Sequence, residues 1–580
     1  MIRSACFSIL FTSLVWAQPV NQLLDQAYDE ILARTPIDLT RLGSKEDLVH
    51  WDHLDAEEPG RLSALYRSWA ERLRSRQNEP DLDAESKLSL QLFLERAQAE
   101  EEGLPFAEYE YLVNQMGGWQ SEVPAFFANA QPLTNLGEAE NYLARLEGLP
   151  KFFQELNQAL LRREKAGIIP PRFVFDYALS DIDNILASNP VGQDFESKVR
   201  RLKLAPKLEK ELLERGRSCI QQSFVPAYQS LRQVLGEQRD RANDQDGCWK
   251  FPQGDRYYAW RLQRITTTSL TAEEIHQLGL AEVERIQQEM LGILKQVEFQ
   301  GSLADFFAFL RRDARFYYPN DQAGKAAYLR DATQLVDKMR SQLDRLFLTK
   351  PKAALVVKAV EGYREQSAGK AFYESPALDG SRPGTYYANL YDMSSMPKYQ
   401  MEALAYHEAI PGHHMQLSIA QELPNLPKFR RLTGYTAYVE GWGLYCELLP
   451  KEHGFYRDPY SDFGRLNLEL FRAARLVVDT GIHHKRWTRG EALDYYLRNT
   501  PNSRSDCQKM VDRHIVMPGQ ATAYKVGMLE ILRLRELAKS RLGQRFDLRK
   551  FHDVLLTHGA VPLKVLEQLV EDHIARELSH

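Results

Sequence analysis

The sequence contains no uninterrupted run of the roughly 20 apolar residues that a membrane-spanning helix requires. It also lacks a basic excess: 79 acidic residues outnumber 74 basic ones, and the basic ones are dispersed. That distribution argues against the Lys/Arg footprint of a nucleic-acid partner. Cysteine is scarce, with five in 580 residues, and no Cys-x-x-Cys pair is present, so a cysteine-held zinc is not expected. Internal repeats, low-complexity tracts and long linkers are absent as well, which argues against a solenoid or a string of modules. What is there is an ordinary globular composition, 44% hydrophobic and 26% charged.

Met1-Ile2-Arg3, an apolar stretch from Ala5 to Trp16, and Val15-Trp16-Ala17 ahead of Gln18 match a signal peptide over 1–17. The expectation is an exported protein, periplasmic or secreted, with a mature chain of 18–580. Cys6 stands too near the start to serve as a lipid-attachment cysteine. Cys219, Cys248, Cys446 and Cys507 remain, and in an oxidising compartment they allow three pairings. Cys219 with Cys248 is the favoured one; four reduced, buried thiols are the alternative. Nothing in the sequence speaks to oligomeric state.

From Gln18 to about Leu346 apolar residues recur at helical spacing, as in Lys87–Leu94 and Ala281–Ile286, giving a helical wall over 18–346. Thr271-Ala272-Glu273-Glu274 and Thr488-Arg489-Gly490-Glu491 read as capping boxes. The pattern changes at Ala354–Val360 and Gly384–Leu390, which are rich in β-branched and aromatic residues and predict two or three strands. Between them, Asp379–Gly384 supplies turn chemistry. The fold class expected is mainly α: one helical body whose second part, 347–580, carries a small sheet beside a metal-binding helix. An exposed strand edge near Tyr386 and Asn389 would suit an extended peptide.

The chemistry concentrates at His407-Glu408-Ala409-Ile410-Pro411-Gly412-His413-His414. The zinc-protease pattern His-Glu-x-x-His puts two imidazoles one turn apart and uses the glutamate as general base. Here two extra residues intervene. On an unbroken helix His413 would lie about 9 Å beyond His407 and about 120° around the axis. Pro411 and Gly412 are the residue types that break a helix, so it can resume with His413 returned to the working face. His414 is the competing ligand. A third ligand is expected on another helix, Glu440 in Glu440-Gly441-Trp442-Gly443-Leu444-Tyr445-Cys446-Glu447, with Glu447 as the alternative ligand or as an acceptor behind one.

These runs, with Met517-Pro518-Gly519-Gln520-Ala521-Thr522-Ala523-Tyr524-Lys525-Val526-Gly527, resemble a bacterial family catalogued as domain of unknown function 885. That family in turn resembles the helical zinc peptidases typified by thimet oligopeptidase and carboxypeptidase Taq. The resemblance implies Zn2+ at the bottom of a deep channel, bound by two histidines and a later glutamate, and short peptides as substrates. On that reading His407, His413 and Glu440 hold zinc, Glu408 is the general base, and His483 or Tyr524 donates to the developing oxyanion. Asp479 would orient a ligand histidine. Lys525 and Arg382 could bind a peptide carboxylate. A zinc hydrolase of a non-peptide amide or ester, and a metal-binding protein without turnover, are the rival readings; Glu408 argues against the second, because a site without turnover needs no base.

Overall fold

In a computed structural model the protein is described over residues 19–579, apart from 363–364, 366–368, 378–379 and 381. The expected leader, 1–17, lies outside the described residues. As expected, the fold is mainly α, with one three-stranded sheet among the described residues. The chain forms two compact units, 1–257 and 258–580.

The first unit is built of helices such as Leu136–Glu147, Leu149–Lys165, Arg172–Ser188 and Val225–Arg241. Their apolar faces close on an aromatic core in which Trp51 stacks on Phe152 at 4.9 Å between ring centroids. The Trp51 indole satisfies its one donor by bonding the Arg145 carbonyl at 2.9 Å, as a buried indole must. Cys219 and Cys248 are buried here, as are Cys446 and Cys507 elsewhere, and none of the four is disulfide-bonded, so the favoured pairing is corrected to reduced thiols. The Cys219 thiol donates to the Glu147 carboxylate instead.

In the second unit the elements that bear on the site are α1 (Ala272–Gln296), β1 (Leu355–Ala359), β2 (Ala371–Glu374), β3 (Gly384–Ala388), α2 (Lys398–Glu408), α3 (His413–Glu422), α4 (Thr436–Glu452), α5 (Pro459–His483) and α6 (Ala523–Leu542). The Thr271 hydroxyl and the Glu274 carboxylate cap α1 reciprocally, and Thr488 with Glu491 caps Arg489–Asn499 in the same way, as the sequence predicts. α5 is buried along its whole length from Asp462 to His483, the signature of a helix at the centre of a large core. α4 crosses α6 at two glycines: a Cβ on Gly441 would come within 2.6 Å of the Gly527 Cα, so neither position tolerates a side chain without separating the helices.

The sheet order is β1-β3-β2, with β3 parallel to β1 and antiparallel to β2. This corrects the expected edge: β3 carries Tyr386 in the middle of the sheet, and its backbone is paired on both sides. Beyond it the Asn389 amide donates to the Lys370 carbonyl, and its side chain to that of Glu365. No free main-chain edge is offered to a peptide there. Lys525 is corrected too. It is fully buried on α6, where its ammonium bonds Glu469 at 2.6 Å and pairs with Glu282 at 2.8 Å, so its charge is already spent.

Candidate metal centre

α2 starts after Pro397, whose fixed φ suits a helix entry, and ends at Glu408. The chain then leaves the helical path over Ala409–Gly412, and α3 begins at His413. Three contacts hold this break from α4. The Trp442 indole donates to the Pro411 carbonyl at 3.0 Å and to that of Gly412 at 3.3 Å, and the buried Cys446 thiol donates to Pro411 at 3.4 Å. At Gly412 a Cβ would stand 1.9 Å from the His407 carbonyl, so only glycine fits where the chain folds back on the last turn of α2.

The result is the excursion that the spacing demands. The His407 and His413 rings lie 4.7 Å apart and nearly perpendicular. Nε2 of each faces the same carboxylate oxygen of Glu440, at 3.7 and 3.6 Å. One ligand atom from each of the three residues falls within 4.8 Å of the others. A tetrahedral ion with bonds of roughly 2.0–2.1 Å needs donor atoms about 3.3–3.5 Å apart, so this donor set fits a divalent metal after small adjustments.

The residues of α4 divide this work by position. Glu440 faces the histidines, Gly441 admits α6, Trp442 and Cys446 clamp the break, and Gly443 leaves room for the His407 ring, which would sit 2.8 Å from a Cβ there. Two turns after Glu440, Glu447 accepts a hydrogen bond from His407 Nδ1 at 2.8 Å. With Nδ1–H committed to Glu447, Nε2 is the nitrogen left to bind a metal.

Electrostatics point the same way. Burial pulls the His407 pKa down, but hydrogen bonds to Glu440 and Glu447 and the nearby Glu408 carboxylate outweigh it and hold it at about 10. Burial raises Glu440, yet the two histidines hold its carboxyl well below the usual range. This pocket favours positive charge. Glu408, beside His407, is raised, chiefly by burial and further by Glu440, against the histidines and Arg472.

The other expected site residues fall elsewhere. His414 turns toward Tyr373, whose hydroxyl is 2.9 Å from its Nδ1, and burial lowers it to about 4. Asp479 is corrected: it accepts from Tyr258, His514 and the Gly519 amide, and holds neither metal-facing histidine, a task that falls to Glu447. His483 is corrected as well, since it is fully buried with Nε2 engaged by the His514 carbonyl and its ring against Tyr258. Tyr524 is 8% exposed and lies under the Arg475 guanidinium. Arg382 sits at the surface, paired with Glu374 at 3.3 Å. Tyr386 is fully buried with its phenol raised by burial, and Glu408 is among the charges acting on it. Missed in the sequence was Arg472, whose guanidinium is 3.6 Å from Glu447. The available signal was a pair of arginines one turn apart, Arg472 and Arg475, in the otherwise apolar stretch Leu470–Val478.

The profile of the family described as "Bacterial protein of unknown function (DUF885)" matches residues 36–570. The chain belongs to the DUF885 family. A solved structure from Colwellia psychrerythraea, described as a "putative lipoprotein", is 32% identical and superposes with a TM-score of 0.90, covering 96% of this chain and 99% of that one. One from Shewanella oneidensis, described as a "putative lipoprotein of unknown function", shares the fold at 20% identity and a TM-score of 0.74, over 96% and 100% of the two chains. The M32 carboxypeptidase from Deinococcus radiodurans R1 aligns over 96% and 99% at 10% identity, but with a TM-score of 0.37, too loosely to carry an argument. No curated protein matches the chain.

Proposed function

We propose that this DUF885 protein is an exported zinc-dependent hydrolase that cleaves peptide bonds in short peptides. The observation that carries the reading is a buried carboxylate, Glu408, next to His407 in a pocket where His407, His413 and Glu440 converge. Two imidazoles and one carboxylate leave a tetrahedral ion one open position, the donor set of catalytic rather than structural zinc. When bound, zinc would polarise a carbonyl and acidify a water molecule.

The chain's own residues supply the rest. Glu408, raised by burial, takes a proton from the attacking water and returns it to the leaving amine. Glu447 keeps the His407 proton on Nδ1, so that Nε2 remains a donor atom for the metal. His407, Glu408 and His413 are each less than 9% exposed, so the surface of a folded protein cannot meet them. Export is supported by the N-terminal sequence pattern and by the "putative lipoprotein" description of the relatives.

The test is metal analysis of the purified protein together with mass-spectrometric profiling of a short-peptide mixture. About one zinc per chain is expected, with cleavage abolished by a strong chelator and restored by zinc. Full activity after verified metal removal would sink the reading.

A further inference from the structure

Arg475 stands in the middle of α5, 6% exposed, with its Nε and Nη1 sealed from solvent and without a hydrogen-bond acceptor. Among the described residues no carboxylate lies within ion-pair distance of it. The other seven buried arginines all reach an acceptor: Arg465 bonds Asp462, Arg535 bonds Glu452, and even Arg145, without a carboxylate, bonds Thr40 and Gln131. A guanidinium taken out of water and left uncompensated is strongly unfavourable, so its position calls for a counter-charge from outside the chain.

The surroundings accumulate positive charge. Tyr524 and Phe471 present their rings to the Arg475 guanidinium at 4.7 and 5.4 Å, contacts that recover part of the lost hydration. Arg472, one turn back on the same face of α5, also has an unpartnered Nε. Its guanidinium reaches Glu447, the residue that holds His407. Burial lowers the Arg475 pKa to about 10, with Arg472 and Arg513 acting in the same direction, so it remains charged at neutral pH.

We infer that Arg475, flanked by Tyr524 and Arg472, forms an anion subsite next to the metal centre that takes a carboxylate of the substrate. The peptide identity of that substrate rests on the hydrolase reading above; the carboxylate does not. Among the described residues Nη2 meets no acceptor either, and the edge formed by Nε–H and Nη2–H matches a carboxylate in two parallel charge-assisted bonds, whether the carboxylate is a peptide's C-terminus or an acidic side chain.

The test compares matched peptides on the zinc-loaded enzyme: free acid against C-terminal amide, and internal Glu against Gln. The expected result is a kcat/KM ratio of about 10–100 in favour of one carboxylate, the scale of a charge-assisted bond pair. The pair that shows it names the source. Arg475→Met should bring that ratio close to one and Arg475→Lys should keep part of it, while the melting temperature of R475M should not fall. Calorimetric titration of N-acetylphenylalanine and its amide provides a readout independent of turnover. Binding of the acid that is lost in R475M supports the subsite even if no peptide is cleaved. Equal cleavage of both members of each pair by the wild type, or equal acid binding by wild type and R475M, overturns it.

Discussion

Glu447 accepts a hydrogen bond from His407 Nδ1 at 2.8 Å and is itself only 1% exposed. A buried carboxylate behind an imidazole fixes the tautomer and raises the basicity of the opposite nitrogen. Glu447→Ala should therefore lower zinc affinity about 10–100-fold, and Glu447→Gln less, because the amide oxygen still accepts. Competition against a chromophoric chelator measures this. Affinity unchanged in both variants would leave Glu447 a packing residue.

The two adjacent histidines should behave differently. His413 Nε2 faces Glu440 at 3.6 Å, whereas His414 is taken up by Tyr373 and Ser418. His413→Ala should abolish stoichiometric zinc binding, while His414→Ala should retain it. Metal content by elemental analysis decides the point, and the reverse pattern would move the ligand to His414.

Glu408→Gln keeps the side chain's size and removes its basicity. Zinc content should persist while turnover of a short peptide falls about 10²–10⁴-fold, the usual contribution of a general base. A variant with near wild-type kcat would transfer the base role to another group.

Much of this site could be read from the chain because its determinants are local. The glycine and proline of the break, the interval between His407 and His413, and the Glu440/Glu447 pair on one helix face all follow from residue spacing and backbone chemistry. What failed depended on which elements meet in space. β3 has the strand composition expected, but only its pairing with both β1 and β2 reveals that it has no edge. Lys525 reads as a free cation until α6 is set against α1 and α5, where Glu282 and Glu469 wait for it. Asp479 and Glu447 are both acids on helices near histidines; their different partners, His514 and His407, are set by helix packing, which no local pattern encodes.

The network around Glu469 gives the last prediction, on stability. Burial raises this carboxyl, but Lys525, Arg465 and Arg285 more than reverse the effect and bring it to about 2. Its folded pKa is thus below its unfolded value of about 4.3. The contribution to stability is fully present above that unfolded value and is lost as pH falls toward about 2, because only the folded state resists protonation. Glu469→Gln should cost about 3–5 kcal/mol at pH 7, since it removes the counter-charge that the buried Lys525 and Arg465 share with the more exposed Arg285. Lys525→Met should cost less, because Glu469 keeps Arg465 and Arg285. Urea unfolding from pH 8 to pH 2.5 measures both effects. The gap between wild type and Glu469→Gln should be flat down to about pH 5 and narrow below it. A gap independent of pH across the whole range would mean that Glu469 acts through packing alone.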